Sequence, residues 1–217
     1  DRSIGGPAYR KIILMKDLIA DILPPPAYII ESYLTALRAI DEAERESPDK
    51  AKINALLEYG RLLKEGDSSK SEIAGYYERI NVWKKDISEE NEDWKAIKNN
   101  LVKVSFDPAK KFFEIRDAQF NPMIKAGQVA QAKKVLRTQL RPLYEEHRKG
   151  IDKVVQLSRA MGIKLERQVT LTASEREIMI GGPLYNKIIQ IKDIVSDVLP
   201  PPMYIIETYL TAMELLD

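Results

Sequence analysis

Cysteine is absent from this 217-residue chain, and histidine occurs only once, at position 147. The absence of thiols excludes a disulfide framework, a thiolate nucleophile, a thiolate metal site and the attachment of c-type haem. A single histidine cannot build a multi-histidine metal site, and it excludes the paired Glu-x-x-His motifs of di-iron helix bundles. We therefore predict neither a bound metal nor a cofactor.

The chain also lacks long apolar runs and a charge excess. No apolar stretch approaches the roughly 20 residues that a membrane-spanning helix needs. The 34 Lys and Arg residues nearly balance the 33 Asp and Glu residues, which leaves a net charge of +1. Because no global charge draws the chain to nucleic acid or to an acidic surface, we expect no nucleic-acid partner. The apolar content of 44% is ordinary for a folded chain.

The clearest pattern that is present is an internal repeat. Residues 4–37 read IGGPAYRKIILMKDLIADILPPPAYIIESYLTAL, residues 180–213 read IGGPLYNKIIQIKDIVSDVLPPPMYIIETYLTAM, and 23 of the 34 aligned positions are identical. The two copies are 176 residues apart along the chain, and this period is far longer than the roughly 20–50 residues of a solenoid. We interpret residues 1–176 as one domain and residues 177–217 as a partial second copy of its opening segment. A natural tandem, a fusion and an added helical hairpin packed on the first domain all fit this pattern.

Apolar residues recur at three- and four-residue spacing almost throughout, which predicts an all-α fold. Four long passes with short connections predict an elongated up-down-up-down four-helix bundle, with a repeated first-helix segment at the C-terminus. Pro24, Pro25 and Pro26 interrupt the first pass, because proline lacks an amide hydrogen and clashes with the preceding turn. We therefore expect a kinked first helix.

Local signals predict further boundaries and irregularities in these helices. Capping residues and prolines predict helix starts, glycine predicts a stop, and an internal proline predicts a bend. The starts are at Ser47-Pro48, Ser88 to Asn91 and Asp107-Pro108, the stop is at Gly127, and the bend is at Pro142.

His147 lies in the segment YEEHRKGID, among the carboxylates of Glu145, Glu146 and Asp152. A catalytic histidine needs a nucleophile and an orienting group, and the sequence alone places neither. We interpret His147 as a surface or groove residue of the last helix, and the carboxylates as a solvated face. Since no nucleophile motif is present, we predict that the chain is not an enzyme.

Several passages together carry a resemblance to a known family. They are the repeated IGGPxYxxI and KDLIADILPPPxYIIESYL, the aromatic-rich YYERINVW, the segment FDPAKKFFEIRDAQFNPMIKAGQVAQAKKVL, and YEEHRKGIDKVVQLS. They resemble the extracytoplasmic sensing domain of a group of bacterial methyl-accepting chemotaxis proteins, over nearly all of residues 4–170. The second copy departs from that family, because a single-domain receptor would enter its second membrane helix soon after the 170s.

The resemblance implies a periplasmic four-helix bundle in a receptor that is anchored in the inner membrane. Such a domain binds a small molecule between its helices, works as a homodimer and transmits a small helix shift. A sensor domain of a histidine kinase and a ligand-free helical spacer or dimerisation module remain as alternatives.

The candidate ligand-binding residues follow from the proline kink and from arginines beside aromatic side chains. A kink at the proline triplet either opens a small pocket next to Tyr28 or serves only to pack that tyrosine on a neighbouring helix. For a carboxylate ligand, a guanidinium group near an aromatic wall offers two-pronged hydrogen bonding, although each arginine could equally extend from a helix face into solvent. The predicted set is Tyr28, Arg79, Trp83, Arg116 and Arg148.

Overall fold

The computed structural model describes residues 6–22, 29–67 and 75–167, and in the second copy residues 182–183, 185–186, 189–190 and 208–213. The described chain is all-α and contains no strand, which confirms the predicted fold class. Within those ranges, no helix combines the length and the apolar character that a membrane crossing requires. The helices are α1 (Pro7–Ile22), α2 (Ile30–Ala43), α3 (Lys50–Glu65), α4 (Tyr76–Asp86), α5 (Glu92–Asn99), α6 (Phe106–Ile115), α7 (Asn121–Lys125), α8 (Val129–Val135) and α9 (Arg141–Arg167).

Helices α2 and α3 form an antiparallel hairpin. Near the turn, the buried carboxylate of Glu42 pairs with Lys52 at the start of α3. At the open end, the hydroxyl of Tyr59 donates a hydrogen bond of 3.0 Å to Glu31 near the start of α2. Contacts at both ends therefore show that the two helices run in opposite directions. The predicted kink at Pro24 to Pro26 lies outside the described residues.

Two long helices of about 35 residues make up the second half of the described chain. The first contains α5, α6 and α7, and the second contains α8 and α9, with π-helical turns joining the segments. Lys164, near the end of α9, lies 2.5 Å from Asp93, near the start of α5. His147, further back in α9, contacts Ser105. Since the residue numbers rise along one helix as they fall along the other, the two long helices are antiparallel.

Each proline inside these long helices follows a π-helical turn. The pairs are Asn100–Val104 before Pro108, Arg116–Phe120 before Pro122 and Leu136–Leu140 before Pro142. In every case the carbonyl four residues before the proline belongs to the π turn. That carbonyl would meet the proline ring and find no amide hydrogen in a regular α-helix, and the wider turn relieves the conflict.

Asp107-Pro108 therefore has a different role from the one predicted. It lies in the first turn of α6, but the preceding Ser105 keeps helical angles (φ −84°, ψ −30°). The chain accordingly passes through this point as part of one long helix, and the proline is accommodated without ending it.

The predicted helix start at Ser47 is wrong by two residues. Asp49 is the N-cap of α3, and its Oδ1 accepts hydrogen bonds from the amides of Ala51 at 2.8 Å and Lys52 at 3.1 Å. The carboxylate captures two of the first free amides of the helix, which Ser47 lies too early in the chain to reach.

The predicted boundaries at Asn91 and Gly127 are confirmed. The side chain of Asn91 accepts a hydrogen bond from the amide of Trp94 and so caps α5. Gly127 follows α7 with φ +71°, a conformation that glycine adopts without a steric penalty. The amide of Gln128 then bonds back to the carbonyl of Met123 at 2.9 Å, which completes a Schellman motif.

Helix α9 approaches the other long helix closely at Gly150. A Cβ atom on Gly150 would lie 2.8 Å from the Cβ and 2.9 Å from the Cα of Ser105, which is closer than real Cβ contacts allow. The absence of a side chain at position 150 therefore sets the distance between the two helices at this level.

We expect Gly150→Ala to destabilise the fold by about 1–3 kcal/mol, because the two backbones must move apart. Gly162→Ala is the matched control, since a Cβ at position 162 of the same helix meets no atom within 4 Å. Its higher helix propensity should make it neutral or stabilising by up to about 1 kcal/mol. Urea unfolding of both variants, followed by circular dichroism, measures the difference. Equal effects of the two substitutions would contradict the close approach.

Candidate functional site

Four segments of the chain meet at one level of the structure, around the imidazole of His147. The amide of Ile29, just before α2, donates to Nε2 of His147 at 3.3 Å. Nδ1 of His147 lies 2.8 Å from the carbonyl oxygen of Ser105. The ring of Tyr76, the first residue of α4, packs edge-on at a centroid distance of 6.0 Å. We call Ile29, Tyr76, Ser105 and His147 the His147 junction.

The interpretation of His147 as a surface or groove residue is wrong, because its exposed fraction is 0%. An amide can only donate and a carbonyl can only accept, so Nε2 accepts and Nδ1 carries the hydrogen. The ring is therefore neutral, in one defined tautomer. Burial lowers the pKa of His147 to about 4, and the hydrogen bond to the Ser105 carbonyl opposes this only in part.

The backbone departs from regular α-helix in three of the segments that reach the junction. Ile29, the N-cap residue of α2, has non-helical angles (φ −80°, ψ 20°). Between α3 and α4 the chain closes on itself, since a Cβ on Gly75 would lie 2.2 Å from the amide nitrogen of Gly66. The π turn Asn100–Val104 ends next to Ser105. Irregular backbone needs hydrogen-bond partners outside its own helix, and His147 supplies a partner to two of these segments.

Aromatic rings surround the junction and fill the core beside it. Tyr76 stacks parallel to Phe106 at 6.2 Å and tilts against Phe113 at 5.4 Å. Tyr33 of α2 stacks on Tyr144 of α9 at 4.5 Å, one turn before His147. These contacts connect α2, α4, α6 and α9 through one apolar cluster.

The hydroxyl of Tyr76 is an unsatisfied polar group within this cluster. Its Oη is fully buried and has no hydrogen-bond partner among the described residues. Burial raises the pKa of the Tyr76 hydroxyl well above its usual value, so the group is protonated and able to donate. Leaving such a group unsatisfied costs about 1–3 kcal/mol. A polar group of a bound molecule at this point would recover that energy.

Arg116 joins α3 to the long helix through contacts of its own. The side chain is 3% exposed, and Nη1 donates to the carbonyl of Gly60 at 2.8 Å. Nε donates to Asp117 at 2.8 Å, and the guanidinium carbon lies 4.9 Å from the centre of the Phe113 ring. Lys64 completes the cluster by contacting Asp117 at 2.7 Å.

The charges in this cluster stabilise one another. Burial by itself raises the pKa of Asp117, but the hydrogen bonds and charges of Arg116 and Lys64 outweigh it and hold the pKa below its usual range. Asp117 is therefore an anion at neutral pH. The Arg116 guanidinium contacts the Gly60 carbonyl of α3 as well as Asp117 and Phe113 of its own long helix. It therefore links the two helices.

The structure brings the predicted site residues together only in part. Arg79 and Trp83 lie one turn apart on α4, just after Tyr76, and Trp83 is buried while Arg79 is half-buried. Arg148 follows His147 on α9 and is exposed. Arg116 contacts α3, as described above. Tyr28, one residue before Ile29, lies outside the described residues.

Sequence reasoning missed Tyr76 and Ser105, and it misplaced His147, although a signal for the histidine was present. His147 falls at the three- and four-residue spacing of Leu140, Tyr144 and Ile151, all of which are buried. That spacing places it on the core face of the last helix. No comparable signal marks the Ser105 carbonyl, because its role depends on a residue 42 positions away.

An open surface groove of about 450 Å³ lies on the outer side of the Arg116 cluster, beside Asp117. Its exposed Arg61 already pairs with Glu58 at 2.6 Å and with Glu65 at 2.8 Å. These three charges therefore pair with one another within the groove.

Comparisons of the chain with protein-family models, with curated proteins and with solved structures found no match. The residues themselves and the geometry of the junction are therefore the basis for inferring a function.

We expect acid to remove the stabilisation that the neutral His147 provides. Above pH 6.5 the imidazole is neutral in both the folded and the unfolded chain. As the pH falls, the unfolded chain takes up a proton near 6.5, whereas the folded chain does so only near 4. The free energy of unfolding should thus fall by about 1.4 kcal/mol per pH unit across this window, or about 3 kcal/mol in all.

His147→Gln is the control for this effect, because glutamine keeps a donor and an acceptor but does not titrate. Urea unfolding at pH 7 and pH 4.5 should show that the stability advantage of the parent chain over His147→Gln shrinks by about 2 kcal/mol. Titration of the other groups cancels in that difference. An advantage that is equal at both pH values would show that His147 is not held neutral by burial.

Proposed function

We propose that this chain is a ligand-sensing helical domain of a transmembrane chemoreceptor, similar to those of methyl-accepting chemotaxis proteins. In this proposal residues 1–176 form an up-down-up-down four-helix bundle with a kinked first pass. The antiparallel contacts of α2 with α3 and of α5 with α9 support that arrangement. The domain is periplasmic, belongs to a receptor anchored in the inner membrane, acts as a homodimer and carries no enzymatic activity.

The ligand binds at the His147 junction, on the side of Ile29. The observation that carries this placement is the buried hydroxyl of Tyr76, which has no partner among the described residues. Tyr28 precedes Ile29 at the junction, and Arg79 and Trp83 follow Tyr76 along α4. These residues, with Arg148 beside His147, would recognise a small carboxylate through guanidinium hydrogen bonds and aromatic walls. Arg116 supports the site by fixing α3.

His147 gives this site a route to the rest of the bundle. It is hydrogen-bonded to Ile29 at one nitrogen and to Ser105 at the other, so a displacement of the segment before α2 acts on both long helices. A ligand shifts such an equilibrium only by its differential affinity for the two arrangements. Helix movements of about 1–2 Å are typical of these transitions.

A ligand-free spacer is the second candidate function. The observation that favours it is the dense burial of the aromatic cluster, in which Phe112, Phe113 and Phe120 are all 0% exposed. A spacer needs such a core and no site. The two functions differ in whether any small molecule stabilises the chain. The same sensing role would also serve a histidine kinase.

A thermal-shift screen with small organic acids and amino acids tests the proposal. A ligand at one hundred times its Kd should stabilise the folded chain by about 2.7 kcal/mol, which corresponds to a rise in Tm of about 5–10 °C for a chain of this size. Arg79→Gln should remove most of the rise. Arg137→Gln, which lies in a groove with Glu44 at the other end of α2, should leave it intact. A flat screen would support the spacer, whereas an equal loss in both variants would show that the ligand does not bind through Arg79.

Tyr76→Phe separates binding from folding. Without ligand the variant should be as stable as the parent chain or more stable by about 1–3 kcal/mol, because a buried unsatisfied hydroxyl is removed. With the ligand found in the screen, its rise in Tm should be smaller than that of the parent. Isothermal titration of both proteins at pH 7 measures the affinities. An unchanged affinity would place the ligand away from the junction.

A further inference from the structure

The second copy of the repeat packs against the first copy at equivalent residues. The rings of Tyr9 and Tyr185 lie edge to face, with centroids 6.1 Å apart and an interplanar angle of 74°. Ile12, Tyr185 and Ile189 are buried together in a small core, and Tyr9 and Ile13 pack on it. In the sequence alignment of the two copies, Tyr185 is the counterpart of Tyr9 and Ile189 is the counterpart of Ile13.

In both copies, equivalent positions of the repeat form the less exposed side of the segment. In the second copy Gly182, Tyr185 and Ile189 are buried, whereas Pro183, Asn186 and Gln190, each one residue later, are exposed. In the first copy Gly6 is buried, Tyr9 and Ile13 are half-buried, and Pro7 and Arg10 are exposed. The same residue types therefore form the contact surface on each side. A surface that pairs with its own copy has the property of an isologous, twofold interface.

The later part of the repeat also packs on the main hydrophobic core. Leu210 is 4% exposed and belongs to the main hydrophobic core, and Met213 packs on the same core. Their counterparts in the first copy, Leu34 and Leu37, belong to that core as well. Contact with the domain is thus present at both ends of the second copy.

We infer that the second copy docks on the opening segment of its own chain as a parallel, in-register partner. The face formed by Tyr9, Ile12 and Ile13 is then a surface that recognises a helix of its own sequence pattern, GPxYxKII. An antiparallel pair with Tyr9 against Tyr185 would carry Ile189 away from Ile12 and Ile13, whereas these residues share one core.

This docking goes beyond the sensing function and does not depend on it. The second copy covers the face of α1 that contains Tyr9, Ile12 and Ile13. A homodimer must then use another face, or exchange the second copies between the two chains.

Pairs of introduced cysteines in the full chain test the register, since the chain has no cysteine of its own. The in-register pairs are Tyr9→Cys with Tyr185→Cys and Ile13→Cys with Ile189→Cys. The shuffled pairs are Tyr9→Cys with Ile189→Cys and Ile13→Cys with Tyr185→Cys. Each of the four substitutions occurs once in the in-register set and once in the shuffled set. Its own effect on packing is therefore the same in both sets. A short bis-maleimide reagent and peptide mapping by mass spectrometry give the rate of each crosslink.

We expect both in-register pairs to crosslink at least about tenfold faster than both shuffled pairs, because neighbouring turns of a helix are about 5.4 Å apart along its axis. An equal mixture of ¹⁴N- and ¹⁵N-labelled chains shows whether each link joins one chain or two. Links within one chain confirm the inference. Equal rates in the two sets, faster shuffled pairs, or hybrid ¹⁴N/¹⁵N links would each overturn it, and hybrid links would assign the surface to a second chain. Ligand binding does not enter this test, so its outcome is independent of the sensing proposal.

Discussion

The hydrogen bonds of one neutral imidazole hold the centre of this structure together. Ile29 is the N-cap residue of α2, so its amide has no acceptor within that helix and needs one from elsewhere. Nε2 of His147 accepts that hydrogen, and Nδ1 donates its own to the carbonyl of Ser105. Only the uncharged ring can accept and donate in this way, and burial keeps it uncharged. The close approach at Gly150 brings the carbonyl within reach.

The same requirement explains why the irregular segments lie together. A break in one helix exposes peptide groups that must be satisfied, and they are satisfied most readily where neighbouring helices also depart from regular geometry. The start of α2 at Ile29, the close approach of Gly66 and Gly75 before α4, and the π turn before Ser105 therefore share one level with His147. A buried tyrosine hydroxyl at that level completes a set of polar groups inside an apolar core. Such a combination is typical of ligand sites between bundle helices.

Much of the local structure could be predicted from the sequence, and the errors have identifiable causes. Asn91 and Gly127 act as predicted because a cap or a stop depends on the residue and its immediate neighbours. Asp49 rather than Ser47 caps α3, because both candidate capping residues lie within one turn and only one of them can cap the helix. Pro108 did not end its helix, because a π turn absorbed the steric conflict. His147 was predicted to lie at the surface or in a groove because its charged neighbours were given more weight than the apolar spacing that it shares with Tyr144.

The sequence by itself determined the all-α class, the boundaries at Asn91 and Gly127 and the existence of a second copy of the opening segment. These properties follow from periodicity and capping chemistry, both of which act over a few residues. Only the tertiary structure decided that His147 is neutral, that Arg116 joins two helices, and that Tyr185 lies against its counterpart Tyr9. Each of these depends on groups that are far apart along the chain, and packing brings such groups together through the combined geometry of several helices.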